Sequence, residues 1–256
     1  MENIKRVLSY TRRAVDDYQM IRAGDRIAIG ISGGKDSLTL LCALAELRRF
    51  YPEPFELEAI TIDMGLDGMD FSGVTELCRR LDVPYHTVPT QIAKIIFDVR
   101  KEPNPCSLCA KMRRGALHGA AVDLKCNKVA LGHHFDDVVE TFMLNLFFEG
   151  RLGCFQPVTY LSRRNLYLIR PMIYMPEKDV RYFASKAELP VVKSTCPEDG
   201  ETEREEMKKL LSVLERQNKG LRYRIFGAIQ RGGIDGFREF GRMQGIKEYS
   251  DETSDE

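Results

Sequence analysis

The chain has 256 residues, 43% of them hydrophobic, which is enough for a full buried core and too apolar for a disordered chain. Its 38 basic residues balance 38 acidic ones, so net charge gives no drive toward nucleic acid; residues 1–250 carry 38 against 34, hence +4, because the closing DETSDE holds four acids and no base. Neither a signal peptide nor a membrane-spanning run is visible, and seven cysteines, an odd number with one C-x-x-C, point to metal or redox chemistry in a reducing cytoplasm, not to a disulfide scaffold.

The first segment, residues 1–23, sets Ile4, Val7, Leu8, Val15 and Tyr18 among charges and predicts an amphipathic helix. IAIGI is a buried strand, SGGKDS a turn and LTLLCALAELRRF a helix. FELEAITID predicts a second strand, GVTELCRRLDV a helix and YHTVPT a short strand. After the cysteine pair, KMRRGALHGAAVDL reads as a helix, KVALGHH as a strand, DDVVETFMLNLFF as a helix, YLIRPM as a strand and EKDVRYFASKAE as a helix. LPVVKS reads as a last strand, and residues 197–256 as a small helical C-terminal extension with an acidic tail. Strands alternating with helices predict an α/β fold: a mainly parallel, twisted sheet with helices on both faces, and ligands at the C-terminal ends of its strands.

Ser32-Gly33-Gly34-Lys35-Asp36-Ser37 lies between a strand and a helix. Two glycines let backbone amides close on an anion, the helix N-terminus adds positive partial charge, Ser32 and Ser37 donate hydroxyls, and Lys35 adds a point charge. It is not a Walker A loop, because Ile29 and Asp36 stand where that motif needs Gly and Ser or Thr. Asp36 beside phosphates requires a bridging cation, which gives it a Mg²⁺-linked role. The six residues resemble the PP-loop signature of the ATP pyrophosphatases. That resemblance implies an adenine nucleotide alpha hydrolase-like fold, cleavage of ATP between the α- and β-phosphates, and a substrate adenylated on oxygen.

Cys106 and Cys109 form a C-x-x-C just before the predicted helix, near Lys111, Arg113 and Arg114, a setting that lowers thiol pKa values. Cys196 can close the same site; by itself it reads as an inert core thiol. Three ligands without a fourth do not make a closed structural zinc site and suit a [4Fe–4S] cluster with one open iron, while a zinc or a reversible disulfide at Cys106–Cys109 stays open. Cys42, Cys78, Cys126 and Cys154 lie in or near apolar stretches and read as packing residues.

In Gly132-His133-His134-Phe135-Asp136-Asp137, one aspartate is expected to cap the following helix. One of the two histidines is expected to wall a nucleotide pocket. Arg113 and Arg114 are candidates for the α-phosphate or an RNA backbone, and Arg163, Arg164, Arg170, Lys219, Arg222 and Arg224 for RNA phosphates.

PCSLCAKMRRGAL together with KVALGHHFDDVVETFMLNLFF, in order and spacing from about Gly24 to Cys196, resembles the tRNA 2-thiocytidine synthetase family. The resemblance implies that residues 24–196 form the PP-loop domain and that Cys106, Cys109 and Cys196 hold a [4Fe–4S] cluster whose free iron takes sulfide. It places Asp137 near Mg²⁺ or the reacting base, with Lys35, Cys106 and Cys109 beside it in the chemistry. Ile62, Asp63, Met64, Gly65, Arg114 and Gly132 would form the nucleotide pocket. It also implies ATP and Mg²⁺, a tRNA anticodon loop as substrate, a sulfur donor such as a cysteine desulfurase, and a possible homodimer. Phe135 stands where the family often carries Arg, which removes a potential RNA contact, and the chain lacks the additional zinc cysteines of 2-thiouridine enzymes. The competing readings are an adenylating ligase, a thiolase for another base, an ATP-binding iron–sulfur sensor and a zinc-stabilised RNA-binding module.

Overall fold

The computed structural model describes residues 4–100, 105–197 and 203–240; the acidic tail lies outside them. Among the described residues six strands, β1 (Asp25–Gly30), β2 (Phe55–Asp63), β3 (Tyr85–Pro89), β4 (Lys128–Ala130), β5 (Val158–Leu161) and β6 (Leu166–Ile169), form one sheet in the order β3-β2-β1-β4-β6-β5. All pairs are parallel except β5–β6, an antiparallel hairpin at the edge. β5 was not foreseen: four residues, one alternation long, carry too little pattern to stand out.

The helices are α1 (Ile4–Asp17), α2 (Lys35–Arg48), α3 (Ser72–Arg80), α4 (Pro105–Asp123), α5 (Phe135–Phe148), α6 (Glu177–Lys186), α7 (Glu203–Gln217) and α8 (Leu221–Arg231), with a π-helical segment at Lys94–Arg100. None is long and apolar enough to cross a membrane. Ile27, Ala28 and Ile29 of β1 are all fully buried, which explains why this strand is apolar throughout instead of alternating: both its faces are covered. One face packs Ile27, Ile29, Leu38, Leu41 and Leu44 into a core shared by α1, α2, α5 and α6. The other packs Ala28, Ile60, Val129 and Leu168 against Leu117 and Ala121 of α4. The C-terminal helices α7 and α8 lie on α5.

Two sequence expectations are corrected. Cys106 and Cys109 do not precede their helix; α4 begins at Pro105, whose missing N–H costs nothing at a first helical position, so both cysteines sit in its opening turn. LPVVKS forms no strand. Its β-branched residues read as one, but the segment crosses the strand ends instead of joining the sheet, and Val192 N–H donates to Gly33 O at 3.0 Å.

In the strand order, β2 lies on one side of β1 and β4 on the other, so the chain reverses its winding between β1 and β4. A crevice opens at the C-terminal ends of two such strands. SGGKDS leaves β1 there and GHHFDD leaves β4.

Candidate active site

The phosphate loop is organised from within. Ser32 N–H donates to Ser37 Oγ at 3.2 Å, Ser37 Oγ–H donates to Gly34 O at 2.9 Å, and Gly34 N–H donates to Ser32 Oγ at 3.3 Å. Gly33 has φ +84°, open to glycine at little cost, and no side chain caps α2, which leaves its N-terminal amides to an anion. Gly132 must also be glycine for space: a Cβ there would lie 3.0 Å from Asp36 C and 3.1 Å from Ser37 N, so the β4–α5 turn is pressed against the start of α2.

Lys35 Nζ lies 3.1 Å from Asp36 Oδ2 and 3.2 Å from Glu177 Oε1. Burial alone would lower its pKa, but the two carboxylates outweigh it and raise it, so Lys35 is an ammonium. Glu177 Oε1 also receives Lys208 at 2.9 Å; against the upward push of burial, Lys208 and Lys35 hold its carboxyl down to about 2. Asp36 Oδ1 is buried and without a hydrogen-bond partner, with His134 Nε2 at 3.7 Å. An unpartnered carboxylate oxygen beside the loop fits a divalent cation.

Between the loop and α4 opens a cavity of about 650 Å³. Ser32, Asp36, Ser37 and Ile62 line one side, Gly132, His133 and Asp137 a second, and Arg113 and Arg114 the face of α4. Asp137 has two duties. Its Oδ2 accepts from His134 N–H at 2.8 Å in a capping box, and its Oδ1 accepts from Arg204 Nη1 at 3.2 Å. His134 is thus the N-cap of α5, and His133 is the pocket wall. Burial, then the charge of Arg170, pushes the His133 pKa down to about 3, so its ring is neutral, and it lies against Phe155 with ring centroids 4.8 Å apart.

Phe155, Arg170 and Arg204 also line the cavity and were not recognised there from sequence. Arg170 was expected on an RNA-facing surface, yet it is buried: Nη1 donates to Gln156 O and Thr159 Oγ1, and its guanidinium sits 4.9 Å over the Phe155 ring. Arg222, likewise expected to meet RNA, binds Asp136 Oδ1 at 2.8 Å beside buried Glu140. Asp136 Oδ2 accepts from Glu177 N–H at 2.7 Å and so serves the start of α6. Arg163 and Arg164 occupy the β5–β6 turn, at the end of β6 away from the phosphate loop, and Arg224 donates to Lys219 O within the α7–α8 turn. Phe135 is buried against Tyr223 and Phe226 of α8, so an arginine's absence there leaves no gap on the surface.

Next to the cavity is the cysteine end. Cys109 Sγ lies 3.6 Å from Met64 Sδ, so Met64, expected beside adenine, faces the sulfur side. Asp63 Oδ1 accepts from Gly65 N–H at 2.9 Å and shapes that turn. Burial raises the Cys109 thiol pKa more than Arg113 lowers it, contrary to the sequence expectation, and the Cys196 and Cys106 thiols raise it further. All three cysteines therefore share one electrostatic neighbourhood. Cys196 gets there because Val192 is bonded to Gly33 and Thr195 lies beside Gly68, which keeps the 190–196 segment on the side of the sheet that holds Lys35. Among the described residues, no three His, Cys, Asp or Glu side chains are set to hold a single metal ion. A cubane cluster takes each thiolate on a different iron, so its ligands stand farther apart, and an exclusively thiol donor set fits it. Of the other cysteines, Cys42, Cys78 and Cys126 are buried, and burial pushes Cys154 up to about 12.

Residues 7–214 match the PP-loop domain family. The chain is 40% identical over 228 residues to the tRNA-cytidine(32) 2-sulfurtransferase of Geobacter sulfurreducens, covering 88% of this chain and 89% of that one. It is 42% identical over 220 residues to the protein of the same name from Pelobacter propionicus, covering 85% and 82%. Among solved structures it is similar to the U34-tRNA thiolase NcsA of Methanococcus maripaludis with its [4Fe–4S] cluster, with TM-score 0.72, 28% identity, and 88% and 78% of the two chains covered. The NH3-dependent NAD synthetase of Campylobacter jejuni, at 13% identity and TM-score 0.51 over 97% of this chain and all of that one, shares the fold alone.

Proposed function

We propose that this chain, which belongs to the PP-loop family and within it to the tRNA-cytidine(32) 2-sulfurtransferases, uses ATP to replace the C2 oxygen of a tRNA anticodon-loop cytidine with sulfur. The observation that carries the reading is the convergence, at one end of one sheet, of an uncapped helix N-terminus, an arginine-lined cavity and three thiols.

The β- and γ-phosphates rest on the amides of Ser32 to Ser37, with Lys35 as the cation that follows them as pyrophosphate leaves. Asp36, through its unpartnered Oδ1, would hold Mg²⁺ against those phosphates. Ile62 and Gly132 border the nucleoside, with Asp63 and Met64 on the neighbouring turn. The cytidine C2 oxygen attacks the α-phosphorus; a P–O bond forms, the α–β bridge breaks, and the base carries AMP on that oxygen. Asp137, fixed by His134 and Arg204, orients the groups around the reacting base, and Arg114 faces the α-phosphate from α4. Cys106, Cys109 and Cys196 would hold a [4Fe–4S] cluster, which when bound would carry the incoming sulfide that replaces the oxygen. Overall C=O becomes C=S, and ATP becomes AMP and pyrophosphate. A loop base suits this site because it can be turned out without opening a duplex.

The protein acts in the cytoplasm, with a cysteine desulfurase as sulfur donor. The test is mass spectrometry of tRNA nucleosides from cells lacking the gene. Loss of 2-thiocytidine, restored by the intact gene but not by a Lys35→Met copy, is expected; an unchanged nucleoside profile refutes the reading.

A further inference from the structure

Among the described residues, four arginines and two aspartates line the cavity, and His133 is neutral, so this part of the wall is basic. A basic wall of this kind fits a phosphate. Lys35 stands on the phosphate loop, where it meets Glu177. Ser32, Asp36 and Ser37 of that loop line the same cavity as the arginines, so one nucleotide can meet the loop with one phosphate group and the arginines with another.

Three of the four arginines have partners of their own. Arg170 is buried and spent on Gln156, Thr159 and the Phe155 ring, and Arg113 lies beside the Cys109 thiol. Arg204 differs in origin and setting. It comes from α7, eight positions beyond Cys196, and its side chain keeps 41% exposure while its Nη1 and Nη2 bond Asp137 Oδ1 and Thr141 Oγ1 of α5 at 3.2 and 3.1 Å. Both partners lie on one helix, so the guanidinium is held in a fixed plane beside the cavity. A planar fork fixed in this way is the group that recognises a phosphate by two oxygens at once.

We propose that Arg204 grips the α-phosphate, the one that remains with adenosine, while the loop and Lys35 grip the pyrophosphate. This deepens the reading given above and rests on cleavage between those two phosphates. It also gives α7 a task in the reaction: the helix following Cys196 delivers a nucleotide contact.

The test is titration calorimetry on the full chain, purified without oxygen, with AMP and inorganic pyrophosphate as separate probes. Arg204→Ala is expected to weaken AMP about 10- to 100-fold, the range for losing charge-assisted hydrogen bonds, and to leave pyrophosphate unchanged. Lys35→Met is expected to do the reverse. Arg204→Lys, which keeps the charge without the fork, should recover part of the AMP affinity; if the alanine variant does not fold, the lysine variant carries the test, with weakened AMP and unchanged pyrophosphate expected. Unchanged AMP affinity in a folded Arg204 variant, or an equal loss for both probes, overturns the inference. Unchanged pyrophosphate affinity in Lys35→Met overturns the phosphate-loop reading instead, and the two failures are distinguishable. Weakened tRNA binding with AMP unaffected would assign Arg204 to RNA and also overturn it.

Discussion

Gly33→Ala should damage both halves of the site at once. Gly33 has φ +84°, and a Cβ there would meet Val192 Cβ at 2.8 Å and Phe71 Cε1 at 3.2 Å. The left-handed backbone costs an L-residue roughly 1–2 kcal/mol, and a methyl forced into a packed contact adds roughly 1–3 kcal/mol. A loss of about 3 kcal/mol lowers the melting temperature of a chain this size by about 6–12 °C. Val192 is tied to Gly33 O, so relief of the clash pushes the 190–196 segment off the loop and takes Cys196 with it. Gly34→Ala is the comparison: φ there is −77°, and the nearest atom to its Cβ is Ser32 Oγ at 3.5 Å, so it should cost little stability. The assays are thermal melting, pyrophosphate binding and iron content after anaerobic reconstitution. Melting of Gly33→Ala indistinguishable from Gly34→Ala, with iron retained, would refute the reasoning.

Cys196→Ser should lose iron while keeping pyrophosphate affinity, whereas Cys42→Ala, a change in the packed core, should keep its iron; metal analysis of both decides it. Arg222→Ala should destabilise the fold by about 3–5 kcal/mol without weakening tRNA binding, because it strands Asp136 and Glu140, which keep 13% and 4% exposure, without their cation. Denaturant unfolding beside a filter-binding assay checks this. Glu177 has a folded pKa of about 2 against an ordinary 4.5, so its contribution of about 3 kcal/mol is complete above pH 4.5 and is lost as pH falls toward 2. Glu177→Gln should flatten that stretch of the acid-unfolding curve, and an unaltered curve would show that the carboxylate is not held as described.

What could be read from sequence was what is local along the chain. The phosphate loop needs strand, turn and helix within a few consecutive residues, and Cys106 and Cys109 announce themselves by spacing. Asp137 was singled out with them, though its capping partner, a histidine, is not among the usual capping side chains. Arg204, Phe155 and Arg170 escaped because their roles come from what packs beside them, and nothing in EREEMKKLL marks which charge turns inward. Arg222 misled for the same reason: an arginine on a charged helix looks solvated until Asp136 arrives from 86 residues away. LPVVKS misled through propensity alone, since β-branched residues favour extended backbone whether or not a neighbouring strand is present.

The first turns of α4 carry Cys109 and then, four residues later, Arg113. At 1.5 Å per residue, about 6 Å of rigid rod separates sulfur chemistry from phosphate chemistry, and Leu117 anchors the rod to the sheet under Gly30. The helix therefore acts as a ruler. Adding one residue between the two would turn the cysteines by about 100° and lengthen the gap by about 1.5 Å. An insertion within that stretch would therefore pull the two chemistries out of register, whereas an exchange of residues on its outer face would not.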